Sequence, residues 1–257
     1  MVKPLCIDLY SGLGGWTEGF LAEGFEVVGF DIERHVYGEQ KYPAQLVLQD
    51  VLTIHGSQFK DAAVIVASPP CQKYSWLAMP WSRSKDPNNS KAAKALRAEW
   101  EANGPDNRLF DACFRIQREA IEAAGRYIPL IVENVRGAQP WVGRAEWSYG
   151  SFYLWGDVPA LMPMRINGGR KILIYSDPRR NGGKVARLTS PTENLRRLDA
   201  GLKVGGSWFG EENDCSLMRR FSSKSHSRKA ASAQIAKIPI ELSSHIARCY
   251  CPQEAAA

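Results

Sequence analysis

The feature that most constrains this chain is its opening stretch, "KPLCIDLYSGLGGWTEGFLAEGFEVVGFDIE", residues 3–33. Two short apolar runs, "KPLCIDLY" and "EVVGFDIE", flank a glycine-rich turn that leads into the amphipathic segment "SGLGGWTEGFLAEGF". A strand, a turn opening a helix and a second strand make a βαβ unit, whose strands must lie parallel because the crossover is too long for a hairpin. Such a unit begins a doubly wound sheet. The glycine turn departs from G-x-G-x-x-G, which favours a nucleoside ligand without a pyrophosphate over a dinucleotide. Asp31, at the end of the second run, is placed to bond ribose hydroxyls.

Later segments extend the pattern. "PAQLVLQDV" (43–51) predicts a third strand ending at Asp50, and "AAVIVASPP" (62–70) a fourth. Residues 106–127 predict a helix with Leu109, Phe110, Phe114, Ile116, Ala120 and Ile121 along one stripe. "YIPLIVENV" (127–135) is a further strand, ending in Glu133. Asp31, Asp50, Cys71 and Glu133 are thus all expected just past strand carboxyl ends, the edge at which open α/β sheets bind ligands.

Cys71 stands out. It follows the apolar run on a loop stiffened by Pro69 and Pro70, which remove two backbone donors and fix the turn. A buried core thiol is the ordinary reading of an isolated cysteine. Two prolines are a poor way to continue a strand and a good way to aim a side chain, so Cys71 reads as a nucleophile. Glu133, on the same sheet edge, reads as the acid that protonates or orients the substrate; capping of the following segment is its bland alternative.

With 257 residues and 44% hydrophobic content, the chain is sized for one α/β core with a small appendage. Residues 1–156 are expected to form the catalytic, cofactor-binding domain. Residues 157–228, rich in glycine, proline and arginine, are expected to form a small β-containing target-recognition module. Residues 229–257 return to helical patterning and are expected to rejoin the first domain. The stretch 73–105 interleaves Trp76, Trp81 and Trp100 with lysines and arginines, as suits an arm touching nucleic acid, and equally a solvated insertion. A net charge of +6 with a pI near 9.0 suits a polyanionic partner or an ordinary charged surface.

No two of the six cysteines share C-x-x-C spacing, and the sequence lacks a signal-peptide pattern, so a disulfide framework is not expected. No apolar run approaches the roughly 20 residues needed to span a bilayer. The expected setting is the cytoplasm of a bacterial or phage-infected cell, and the expected state is a monomer.

"DLYSGLGG", "FDIE", "PPCQKYS" and "ENV", in this order and spacing, together resemble the motifs of the cytosine-5 DNA methyltransferases, and "NRLF" at 107–110 also fits. The resemblance covers residues 5–135. It implies a Rossmann-like fold, S-adenosylmethionine as cofactor and double-stranded DNA as partner. Tyr10, Ser11, Gly12, Gly14 and Gly15 would surround the cofactor, with Ile32, Val51 and Pro70 beside it. Asp31 would hold its ribose, Asp50 its adenine amino group, and Leu109 would pack on the adenine. Cys71 would add to carbon 6 of a flipped cytosine, and Glu133 would hold ring nitrogen 3 and the exocyclic amine. A small enzyme of phage, prophage, orphan or restriction-modification type is implied.

Two departures stand beside the resemblance. The family's Q-x-R-x-R after ENV is missing from "GRAEWSYGSFYLWGD" (143–157), leaving Arg144 or Arg165 as substitutes. The closing G-N-[AS]-V-P becomes "AKIP", one residue shorter, so that Lys237 replaces the asparagine when aligned from Gln234 and Ala236 does when aligned back from Pro239. An ammonium about 4 Å from a sulfonium is repelled by about 4 kcal/mol at an effective dielectric of about 20. That repulsion suggests carboxy-S-adenosylmethionine as an alternative donor, giving carboxymethylcytosine; Lys237 snorkelling to solvent is the plain reading. An RNA-modifying relative and an idle DNA-binding homologue are the rival functions.

Overall fold

The computed structural model describes residues 2–37, 41–74, 104–162, 229, 233–234 and 236–251. Among the described residues seven strands form one sheet: β1 (Leu5–Leu9), β2 (Glu26–Asp31), β3 (Gln45–Leu48), β4 (Val64–Ala67), β5 (Leu130–Asn134), β6 (Trp147–Tyr149) and β7 (Phe152–Gly156). Their order is β3-β2-β1-β4-β5-β7-β6. The first five are parallel, and β7 runs antiparallel to both β5 and β6. The chain winds outward from β1 in one direction and then from β4 in the other, so the topological switch point lies between these two strands.

The four central strands are apolar on both sides because helices cover both faces. Ile7, Leu9, Ile65, Leu130 and Val132 pack under α2 (Arg108–Ala124). Cys6, Val64, Val66 and Ile131 face α1 (Gly15–Ala22) and α4 (Ile240–Tyr250), with a short α3 (Gln139–Val142) following β5. Burial of these side chains contributes roughly 1.5–3 kcal/mol each. The expected helix over 106–127 is shorter at both ends. Asp106 Oδ1 accepts from the Arg108 N–H at 3.0 Å, and Gly125, at φ 64, stops the helix. The β6–β7 hairpin was not foreseen, since each of its strands is too short for periodicity to register.

Helix α4 lies against α1 at backbone distance. A Cβ on Gly19 would stand 2.1 Å from Ser243 Oγ and 2.5 Å from the Ser244 nitrogen, so only glycine fits. Arg165, most of the 73–105 arm and nearly all of the 157–228 stretch lie outside the described residues. Among the described residues no helix is long and apolar enough to cross a membrane.

A buried polar cluster sits beneath α1. Thr17 Oγ1 donates to Asp8 Oδ2 at 2.6 Å and lies 2.5 Å from the Tyr42 hydroxyl, while Asp8 Oδ1 has no partner among the described residues. Burial, helped by the negative charge of Asp31 and only partly offset by the Thr17 bond, pushes the Asp8 carboxyl up to about 8. An unfolded Asp ionises near 3.9. Between the two values the folded chain holds a proton that the unfolded chain has lost, so stability falls as pH rises. Asp8→Asn keeps the acceptor without the charge. In denaturant unfolding its advantage over wild type should grow from pH 5 to pH 8 at a rate approaching about 1.4 kcal/mol per unit; parallel pH profiles would refute this. Gly19→Val should lower the unfolding free energy by about 1–3 kcal/mol or more through overpacking, read as a fall in Tm.

Candidate active site

The loops after β1, β2, β3, β4 and β5 converge on the carboxyl edge around the switch point. Next to β1, the turn at 10–15 uses left-handed backbone at Tyr10 (φ 58), Gly12 (φ 52) and Gly14 (φ 79). Gly15 starts α1. The turn is tied to β2 because the Gly12 N–H donates to Asp31 Oδ2 at 2.9 Å. The Glu33 N–H reaches Asp31 Oδ1 at 3.2 Å, and His35 Nε2 lies 3.5 Å from the same oxygen. Burial alone would raise the Asp31 carboxyl; the bonds from His35, Gly12 and Glu33 outweigh it and hold the group below the ordinary carboxylate range. His35 is raised in turn, chiefly by its bond to Asp31.

Around this carboxylate lie groups suited to a nucleoside. Ser11 Oγ is buried with no hydrogen-bond partner among the described residues, which makes it a polar atom waiting for one. Ile32, the next residue after Asp31, is 73% exposed, an apolar face open to a flat ring. Asp50 caps the short turn after β3, its Oδ1 accepting from Leu52 N at 2.9 Å, and Val51 is buried beside it. Across the edge, the Tyr10 hydroxyl donates to the Leu109 carbonyl at 2.8 Å, tying the glycine turn to α2. Burial raises the Tyr10 phenol, which therefore stays a donor. The orphaned Ser11 hydroxyl, the Asp31 carboxylate and exposed Ile32 together present two polar groups and one apolar face at this edge.

On the other side of the switch point, Pro70 precedes a 3₁₀ turn, Cys71–Lys73, that carries the half-buried thiol. Trp16 Nε1 donates to Ser68 Oγ at 3.0 Å, and the Ser68 N–H to the Leu9 carbonyl at 3.1 Å. The deciding contact comes from β5: the buried Asn134 amide donates to the Pro69 carbonyl at 2.9 Å, and its Oδ1 accepts from the Val135 N–H at 2.8 Å. Glu133, 4% exposed, is the residue before it. One side-chain amide therefore clamps the cysteine loop to the strand that bears the carboxylate.

Residues 5–80, which carry the glycine turn, Asp31, Asp50 and Cys71, match the family model described as C-5 cytosine-specific DNA methylase. Over this segment the chain is similar to the C-5 cytosine-specific DNA methylases. The type II methyltransferase M.DdeI of Desulfomicrobium norvegicum is 31% identical over 93 residues, covering 33% of this chain and 22% of that protein. A mutant DNMT2 from Spodoptera frugiperda aligns with TM-score 0.32 and 18% identity over 55% of this chain and 38% of its own. S. pombe Dnmt2 methyltransferase aligns with TM-score 0.32 and 15% identity over 53% of this chain and 36% of its own. The chain thus spans about a fifth of the curated relative it matches and little more than a third of these two structures.

Two expected positions look different in the structure. Lys237 Nζ sits 2.6 Å from Glu18 Oε1, on the first turn of α1. Its charge is met by a carboxylate, which removes the repulsion from which a carboxylated donor was inferred. Arg144 is exposed and lines a cleft of about 340 Å³ with Gln139, Glu146, Trp147, Ser148 and Tyr153; the lining includes neither Cys71 nor Glu133. Sequence reasoning missed His35 and the clamping role of Asn134. "ENV" contains Asn134, but nothing in the letters says that its amide reaches a carbonyl 65 residues away. Asn134→Ala strands that buried carbonyl and should cost about 1–3 kcal/mol, seen as a lower Tm; an unchanged Tm would show that the clamp is dispensable.

Proposed function

We propose that this chain transfers a methyl group from S-adenosylmethionine to carbon 5 of cytosine in duplex DNA, through a covalent bond from Cys71. The observation that carries the reading is the Asn134–Pro69 bond, which joins the thiol loop to the Glu133 strand beside the glycine turn. Fit of the cofactor rests on Ser11, Asp31 and Ile32, with Tyr10, Gly12, Gly14, Asp50, Val51, Pro70 and Leu109 completing the surroundings.

Carbon 5 of cytosine is a poor nucleophile. Attack of the Cys71 thiolate at carbon 6 forms the sulfur–carbon bond and turns the ring into an enamine, nucleophilic at carbon 5. Glu133, buried and positioned by its strand, holds a proton at ring nitrogen 3 and accepts from the exocyclic amine, which draws electron density away from carbon 6. S-adenosylmethionine, when bound, supplies an electrophilic methyl group on a sulfonium. A base then takes the carbon 5 proton, the electron pair returns to the ring, and Cys71 leaves as thiolate. Asp31, kept ionised well below neutral pH, anchors the ribose throughout. Because the target atoms lie inside the stack, the cytosine is flipped out at a cost of a few kcal/mol. The net charge of +6 supports attraction to phosphates. Action within a phage or restriction-modification system, in a bacterial cytoplasm, completes the proposal.

Incubation with isotope-labelled S-adenosylmethionine and cytosine duplex, followed by nucleoside mass spectrometry, is expected to give labelled 5-methylcytosine. Cys71→Ser should reduce product by at least about a thousandfold, and Asp31→Ala should weaken cofactor binding by about tenfold or more. Retained activity in Cys71→Ser, or label in carboxymethylcytosine or in RNA alone, would overturn the reading. Binding of DNA without label transfer would leave an idle homologue.

A further inference from the structure

The turn that starts α2 holds both halves of the site. Asn107 stands at the position before the helix where asparagine ordinarily accepts from an N–H of the first turn, yet it makes no side-chain cap. Its amide is used elsewhere. Asn107 Oδ1 accepts from the Tyr74 hydroxyl at 2.8 Å, and Nδ2 donates to the Trp141 carbonyl at 3.3 Å. Tyr74 closes the 3₁₀ turn of the nucleophile, its N–H donating to the Cys71 carbonyl at 3.0 Å. Its backbone is pressed against the segment after Glu133, since a Cβ on Gly137 would lie 2.4 Å from the Tyr74 carbonyl oxygen. Two residues beyond Asn107, the Leu109 carbonyl takes the Tyr10 hydroxyl from the glycine turn.

The cysteine loop is therefore held at two ends by two amides, Pro69 by Asn134 and Tyr74 by Asn107. An amide suits the second post because it accepts and donates at once, bridging Tyr74 to α3. We infer that Asn107 is a positioning residue that acts through Tyr74 to fix the Cys71 turn. This rests on the proposed reaction for its catalytic consequence. The cofactor side is served by a different atom of the same turn, the Leu109 carbonyl, so loss of the Asn107 side chain loosens the thiol and leaves the glycine turn tethered.

The test uses the full chain with Tyr74→Phe, Asn107→Ala and both together. With labelled S-adenosylmethionine and cytosine duplex, each single change is expected to lower kcat about tenfold with KM for S-adenosylmethionine within about twofold, because misplacing an attacking atom penalises the step and not the binding. The pair should be no slower than the worse single variant, since both remove one interaction. Independently of turnover, the rate at which iodoacetamide alkylates Cys71, mapped by peptide mass spectrometry, should rise several-fold in all three variants while buried Cys6 and Cys113 stay unlabelled. An unchanged Cys71 rate, additive losses in the pair, or labelling of Cys6 and Cys113 in step with Cys71 would overturn the assignment. If the wild-type chain transfers no methyl group, the proposed reaction fails, and the alkylation rates still decide the role of Asn107.

Discussion

The site depends on how a loop that lacks backbone donors is held in place. Pro69 and Pro70 contribute no N–H, so the segment carrying Cys71 cannot be fixed by continuing the ladder of β4. Its position is set from outside, by the Asn134 amide on the Pro69 carbonyl and the Ser68 N–H on the Leu9 carbonyl. Each bond crosses to a neighbouring strand of the sheet. Such a loop is stiff because it has few alternatives, and its thiol inherits the precision of the parallel core beneath it.

Sheet topology supplies the rest. Because β1 and β4 are neighbours and wind away from each other, the glycine turn and the cysteine loop leave the edge side by side. β2 brings Asp31 to one flank and β5 brings Glu133 to the other. Glycine at position 19 allows α4 to close the back of α1, and Glu18 in that first turn takes the charge of Lys237. A cation that looked out of place in the sequence is thereby part of the packing between the start of the chain and its far end.

Much of this was legible in the letters. The βαβ opening, the four parallel strands after β1 and the placement of Asp31, Asp50, Cys71 and Glu133 near one edge follow from apolar runs, glycines and prolines, which act locally. What stayed hidden depends on long-range pairing. The β6–β7 hairpin has strands of three and five residues, too short to announce themselves. Asn134 reaching Pro69, Tyr74 reaching Asn107 and Lys237 reaching Glu18 are contacts across 65, 33 and 219 positions, and no periodicity encodes them. The boundary of α2 was overextended because its apolar stripe says nothing about the left-handed Gly125 that ends it.

The central claim is that the sulfur of Cys71 bonds to a cytosine ring beside an adenosyl donor. A duplex containing 5-fluorocytosine tests it most directly, since fluorine cannot leave as a cation and the final elimination stalls. Intact-protein mass spectrometry in the presence of S-adenosylmethionine should show one DNA strand attached to the chain, and peptide mapping should place the link at Cys71. Absence of an adduct with methylatable duplex, or a link at any other residue, would contradict the account.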